Sequence, residues 1–212
     1  MSFRFLFPSM LVACGCFAQS WSVGGAAGYG FYNNATITNA GGSAEAGFAP
    51  RVAASAVLGQ NVGNYFGGEL RYTYRGDEAQ LRSGGRQVNM DGQTHAIHYD
   101  FLVYATPRGT KIRPYAAAGA GIKRYMITDS EPLSQSLGNF AMLTHASQVE
   151  GLFSAGGGLK ALISEHWLFR VDVRYYLTPF PEKLFAAASG ARIHGWLHDF
   201  VPMAGIDWTF GK

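Results

Sequence analysis

Eight stretches of the chain alternate apolar and polar residues with a period of two, the spacing that sends successive side chains to opposite faces of a β-strand. The clearest runs from Trp167 to Leu177, where Trp167, Phe169, Val171, Val173, Tyr175 and Leu177 oppose Leu168, Arg170, Asp172, Arg174 and Tyr176. Tyr65 to Arg75 divides as cleanly, with Phe66, Leu70, Tyr72 and Tyr74 set against Glu69, Arg71, Thr73 and Arg75. The same reading predicts strands over Trp21 to Phe31, Phe48 to Gly59, His95 to Thr106, Arg113 to Met126, Val149 to Ile163 and Leu197 to Phe210. In Arg113 to Met126 the run AAAGAGI gives no contrast and leaves the phase open, although Lys123 suggests that Tyr115, Gly119 and Gly121 share its face.

The connections carry a second pattern. QNVGN, PRGTKI and SEH are short and rich in turn formers, whereas Tyr32 to Ser43, Gly76 to Thr94, Ile127 to Gln148 and Thr178 to Trp196 are long. Strict alternation of short and long places all tight turns at one end of a barrel and all long loops at the other.

The polarity of the faces decides which solvent each meets. An eight-stranded interior holds only its own side chains or one small ligand, so the aromatic rows, among them Trp21, Phe31, Tyr72, Tyr99, Phe101, Phe153, Trp167, Phe169, Trp208 and Phe210, cannot all point inward. They are expected to face lipid. The fold class expected is therefore all-β, an eight-stranded antiparallel transmembrane up-and-down β-barrel. Its lumen is expected to be filled by a charge network of Arg51, Glu69, Arg71, Arg75, Asp100, Lys123, Glu150, Lys160, Arg170, Asp172, Arg174 and Asp207. The signs nearly balance, as they must where an unpaired buried ion costs several kcal/mol.

Composition supports this reading and bounds the domains. Charged residues make up 15% of the 212-residue chain while glycine and aromatics are abundant, which suits strands and turns. Residues 1–18 read as a signal peptide cut after Ala18, with 19–212 forming the barrel domain. Its removal takes Arg4 and lowers the net charge from +3 to +2, too small and scattered for a nucleic-acid partner. Both cysteines, Cys14 and Cys16, lie in that segment. An alternative reading takes Leu11 to Gly15 as a lipoprotein box with Cys14 as the lipidated residue.

Gly205-Ile206-Asp207-Trp208-Thr209-Phe210 resembles the C-terminal assembly signal of bacterial outer-membrane proteins, carried by Gly205, Trp208 and Phe210, although the chain continues through Gly211 and Lys212. RPYAAAGAGIK at 113–123 and GGGLKALISEHWLFRVDVRYY at 156–176 are similar to strands of small outer-membrane barrels of the OmpA and OmpX type. The resemblance implies a monomer in the bacterial outer membrane, both termini periplasmic. It also implies outer-membrane lipid and, during insertion, the barrel-assembly machinery as partners.

No cofactor or metal is expected: His95/His98 and His194/His198 have no acidic cluster beside them, and cysteine is absent after the signal segment. Catalysis is not expected either. Ser134, Ser136 and Ser147 lie in the long connections with several histidines, but no spacing demands a serine–histidine–acid set, and the His-x-Ser motif that the lipid A deacylase family places on a late strand is not expected anywhere in this chain. The functional expectation is a structural or surface-interaction role through the long loops over a plugged lumen. The alternative is a narrow channel or an OmpW-like transporter of small hydrophobic compounds.

Overall fold

In a computed structural model, residues 20–130 and 135–211 are described. The expected signal peptide, its cleavage at Ala18 and the lipidation alternative at Cys14 lie outside them, as does Ser134.

Thirteen strands follow one another: β1 (Ser20–Asn33), β2 (Ala35–Asn39), β3 (Gly42–Phe48), β4 (Arg51–Val62), β5 (Phe66–Ser83), β6 (Arg86–Tyr104), β7 (Ile112–Ile127), β8 (Ala141–Leu143), β9 (Ser147–Leu162), β10 (Trp167–Pro179), β11 (Phe185–Ala187), β12 (Arg192–His194) and β13 (Trp196–Phe210). Eight of them, β1, β4, β5, β6, β7, β9, β10 and β13, form a closed antiparallel barrel in which each pairs with its neighbour in the chain and β1 closes on β13. Closure leaves no unpaired strand edge within the lipid, where an unsatisfied backbone group costs several kcal/mol. Among the described residues the one helical element is a single 3-10 turn, Glu182–Leu184.

The faces divide as the alternation predicts. Phe66, Leu70, Tyr72, Tyr74, Tyr99, Phe101, Phe153, Trp167, Phe169, Trp208 and Phe210 are exposed on the outer wall, while Glu69, Arg71, Asp100, Arg170 and Asp207 have no exposure at all. Strand β7 takes the phase that Lys123 suggests, with Tyr115 and Lys123 buried and Ala116 and Ile122 facing out.

The long connections depart from expectation. They contain five short strands, and β5 and β6 run eight and nine residues beyond the limits read from the sequence, Arg75 and His95, to meet at Gly84-Gly85. Both glycines have positive φ, 55° and 78°, the backbone that a two-residue hairpin turn requires. The β2–β3 hairpin pairs with the projecting part of β5, β12 adds to β2, and β8 pairs with β11. Together they build a dome over one mouth of the barrel. Phe48, expected to begin the second barrel strand, belongs to β3, because Pro50 supplies no backbone donor and the ladder restarts at Arg51.

Candidate functional site: the filled lumen and its dome

The lumen contains two ion clusters. Near mid-barrel Glu69 accepts from three arginines, Arg71 at 2.8 Å, Arg170 at 3.0 Å and Arg174 at 3.2 Å, with Lys160 at 3.7 Å. Asp172 pairs with Arg71 at 3.0 Å and Arg170 at 2.9 Å, Asp207 with Lys160 at 3.1 Å and Arg170 at 3.2 Å, and Asp100 with Arg174 at 3.3 Å. Four acids meet four bases, so the cluster is neutral. Tyr115 donates to Asp172 at 3.1 Å, and His98 lies 3.3 Å from Asp100 against the Tyr176 ring.

The second cluster sits nearer the dome. Arg75 forks onto both oxygens of Asp199 at 2.9 and 3.0 Å and holds Asp77 at 2.7 Å, while Lys123 reaches Asp199 at 2.7 Å. It too is neutral, two against two. Tyr32 lies under the Arg75 guanidinium, receives a hydrogen bond from Lys123 and donates to Asp77. The close approach of Arg75 explains Gly30, where an added Cβ would lie 1.7 Å from Arg75 Nη1. Between the clusters runs an apolar collar of Ala26, Ala53, Ala96, Leu152, Tyr176, Val201 and Met203. The void left beside it is about 10 Å³, the lower limit for one water.

Ten of the expected lumen residues therefore lie inside, and two do not join them. Arg51 has the parity of an inward residue but stands first in β4, so its side chain leans out of the barrel mouth to Glu78 and lies within 3.8 Å of Asp91 on the outer surface. Glu150 is half-buried above Leu152 and receives a hydrogen bond from Gln148; it joins none of the described ion pairs. In their place come Asp77 and Asp199. Asp199 shares the parity of Met203 and Asp207 and was legible by that rule; Asp77 shares the parity of Arg75 but lies beyond the strand limit read from the sequence.

Above the clusters the dome has a core of its own. Ile37, Phe48, Leu81, Met90, Leu143, Leu184 and Phe185 are buried, with Phe48 stacked on Tyr125 at 5.3 Å and edge-on to Phe185 at 5.8 Å. Polar ties cross between connections, such as Asn39 Nδ2 to Asn139 O at 2.6 Å.

The histidines separate. His95 faces outward beside Tyr72 and Tyr74 and His98 inward, because three residues along a strand reverse the face. One His-x-Ser triplet does occur, His145-Ala146-Ser147 at the outer end of β9. Its side chains have separate partners: His145 Nδ1 lies 2.9 Å from Asp129 O, and Ser147 Oγ accepts from Arg124 Nε at 2.9 Å.

A family model described as the outer membrane protein beta-barrel domain matches residues 6–191. The chain belongs to this family. Family and architecture together place it in the bacterial outer membrane. No curated protein matches the sequence. Among solved structures, the crystal structure of Neisserial surface protein A is similar at a TM-score of 0.55 and 11% identity, covering 90% of this chain and 97% of that one. The solid-state NMR structure of outer membrane protein AlkL in lipid bilayers is similar at 0.53 and 12%, covering 100% and 98%. At such identities the likeness is one of fold. Gly205, Trp208 and Phe210 of the expected assembly signal lie on β13, with Trp208 and Phe210 stacked at 5.2 Å on the lipid face.

Proposed function

We propose that the barrel is a non-conducting anchor that presents the dome at the cell surface as an interaction module. The observation that carries this reading is the pair of separately neutral ion clusters, with Glu69, Arg71, Arg170, Arg174 and Asp100 wholly unexposed. A pathway through them would have to break several charge-assisted bonds at once, each stronger than a neutral hydrogen bond. The dome's outer surface supports the second half of the reading: a cleft of about 600 Å³ between the β2–β3 hairpin and the β5–β6 tip is lined by Thr36, Ser43, Glu45, Arg82 and Arg86. Its partner would be a polar or charged surface rather than an apolar one.

Reconstitution in planar bilayers tests the anchor reading. The expected trace is flat over the range of voltages the bilayer withstands, and stable single-channel steps would overturn it.

One observation favours passage of small apolar compounds instead. The β1–β13 ladder pairs Gly28 with Met203 and resumes only at Phe31 with Phe200, next to Pro202, which has no backbone donor. On the lipid face beside this gap is a shallow groove of about 660 Å³ whose lining includes Ala27, Val171, Pro202 and Ala204. Uptake of a short alkane into liposomes, faster with the protein than without it, would favour this alternative.

A further inference from the structure

The lipid-facing side of the wall carries a cation that the lumen clusters do not account for. On β7 the outward residues are Pro114, Ala116, Ala118, Ala120 and Ile122, all apolar, and the next is Arg124, which is exposed. Register sets Arg124 beside His95 of β6, and His95 beside Tyr74, the last outward aromatic of β5 before Glu78. Tyrosine gathers where hydrocarbon gives way to headgroups, and this end of the barrel, beneath the dome, lies in the outer leaflet because the long connections are extracellular.

Arg124 is tied by one nitrogen. Its Nε donates to Ser147 Oγ on β9 at 2.9 Å, which orients the guanidinium and leaves both terminal nitrogens without a partner among the described residues. Its outward neighbours in register are His95 and Val149, neither of them an acid, and among the described residues it forms no ion pair. Arg51, the other arginine at this rim, differs: Glu78 holds it and Asp91 lies 3.8 Å away. His95 is engaged on its own strand pair, its Nδ1 2.7 Å from the Tyr72 hydroxyl and its ring 5.3 Å from that of Tyr74.

The two free ends of a guanidinium fork match phosphate oxygens, and Ser147 Oγ, which accepts from Nε, keeps its own proton to donate. An exposed cation at a membrane surface attracts anionic headgroups. The surface below decides what else the ligand carries. Along β7 beneath Arg124, Ala118 pairs with Phe101 of β6 and Ala120 with Phe153 of β9, both phenylalanines more than half exposed to lipid. A molecule that offers an anion to Arg124 meets hydrocarbon-facing wall immediately beneath, which fits a lipid rather than a soluble anion. We propose that Arg124, oriented by Ser147, binds the phosphate headgroup of an outer-leaflet lipid whose acyl chain lies along β7. This site is separate from the dome cleft and from the filled lumen, and rests on neither.

Native mass spectrometry of the folded full-length protein in neutral detergent, titrated with dimyristoyl phosphatidic acid and separately with dimyristoyl phosphatidylcholine, tests the proposal. Saturable binding of phosphatidic acid is expected, about tenfold tighter than that of phosphatidylcholine, which has the same tails but a phosphate already neutralised by its choline. Arg124→Gln is expected to weaken phosphatidic acid binding roughly tenfold to a hundredfold, the loss of charged hydrogen bonds. Arg51→Gln, at the same rim but matched with acids, is expected to bind within about twofold of the parent. Should Arg124→Gln fail to show the gel shift between unboiled and boiled samples that marks a folded barrel, Ser147→Ala replaces it, with a smaller weakening expected. The proposal is overturned if the two lipids bind equally, if inorganic phosphate at the concentration of the lipid displaces it, or if the folded variant binds phosphatidic acid as tightly as the parent.

Discussion

The membrane wall and the dome are built from the same strands with opposite chemistry. Along β5 one face reads Arg71, Thr73, Arg75, Asp77, Ala79, Leu81, all buried, and the other reads Tyr72, Tyr74, Gly76, Glu78, then Arg82. From Arg71 onward the alternation keeps its phase, with Gln80 the one buried residue of the outer parity. What changes, between Tyr74 and Glu78, is the identity of the outer face, from aromatic to charged, and of the inner face, from charged to apolar. β6 repeats the exchange, with Tyr99, Ile97 and His95 outside giving way to Asp91 and Asn89, and Asp100, His98 and Thr94 inside giving way to Met90. Side chains follow the solvent each face meets: lipid below, water above. On β5 the change of outer face puts the membrane boundary between Tyr74 and Glu78.

The largest expected effect is in the wall. Glu69→Gln keeps the shape but removes the negative charge shared by Arg71, Arg170 and Arg174 and turns one acceptor oxygen into a donor, and a loss of about 3–5 kcal/mol in urea-induced unfolding from lipid vesicles is expected. In the dome the corresponding change is a cavity. Leu81→Ala is expected to cost about 2–5 kcal/mol there, read as faster proteolysis of the 76–94 hairpin in a protein that still shifts on boiling, because the barrel ladder below does not depend on that core. If Leu81→Ala abolished the gel shift, wall and dome would be one cooperative unit and the comparison would fail.

Two smaller exchanges on the outer face sharpen the boundary. Leu70→Arg, midway along the lipid face, is expected to destabilise by about 2–4 kcal/mol. Arg82→Leu, above the exchange point and in water, is expected to stay within about 0.5 kcal/mol. Equal effects from the two would mean that the outer face of β5 meets a single solvent along its length.

This inversion also explains what the sequence made legible. Apolar residues opposing polar ones in a constant sense mark β5 only as far as Arg75 and β6 only from His95, because there the sense reverses while the strand continues. Asp77 was lost with that false ending, and the dome was read as loops. The barrel itself is legible because the wall strands, Arg113 to Met126 apart, carry the same sense along their membrane length. Arg51 and Glu150 were misplaced for a different reason: parity fixes the direction of Cα–Cβ, but at a barrel mouth a long side chain can bend to a partner on the rim, as Arg51 does to Glu78. The dome core is hinted at by Ile37, Leu81, Met90 and Phe185, apolar residues too large for solvated loops.

The pairing of β1 with β13, Trp21 opposite Phe210, has a consequence for how the protein is made. Synthesis delivers β1 well before its partner β13, so no ring exists until β13 has been made. A premature stop codon that removes β13 leaves β1 and β10 each with an open edge, and a seven-strand remnant has no way to satisfy them in hydrocarbon. Nonsense and frameshift alleles that remove β13 are thus expected to leave no closed barrel.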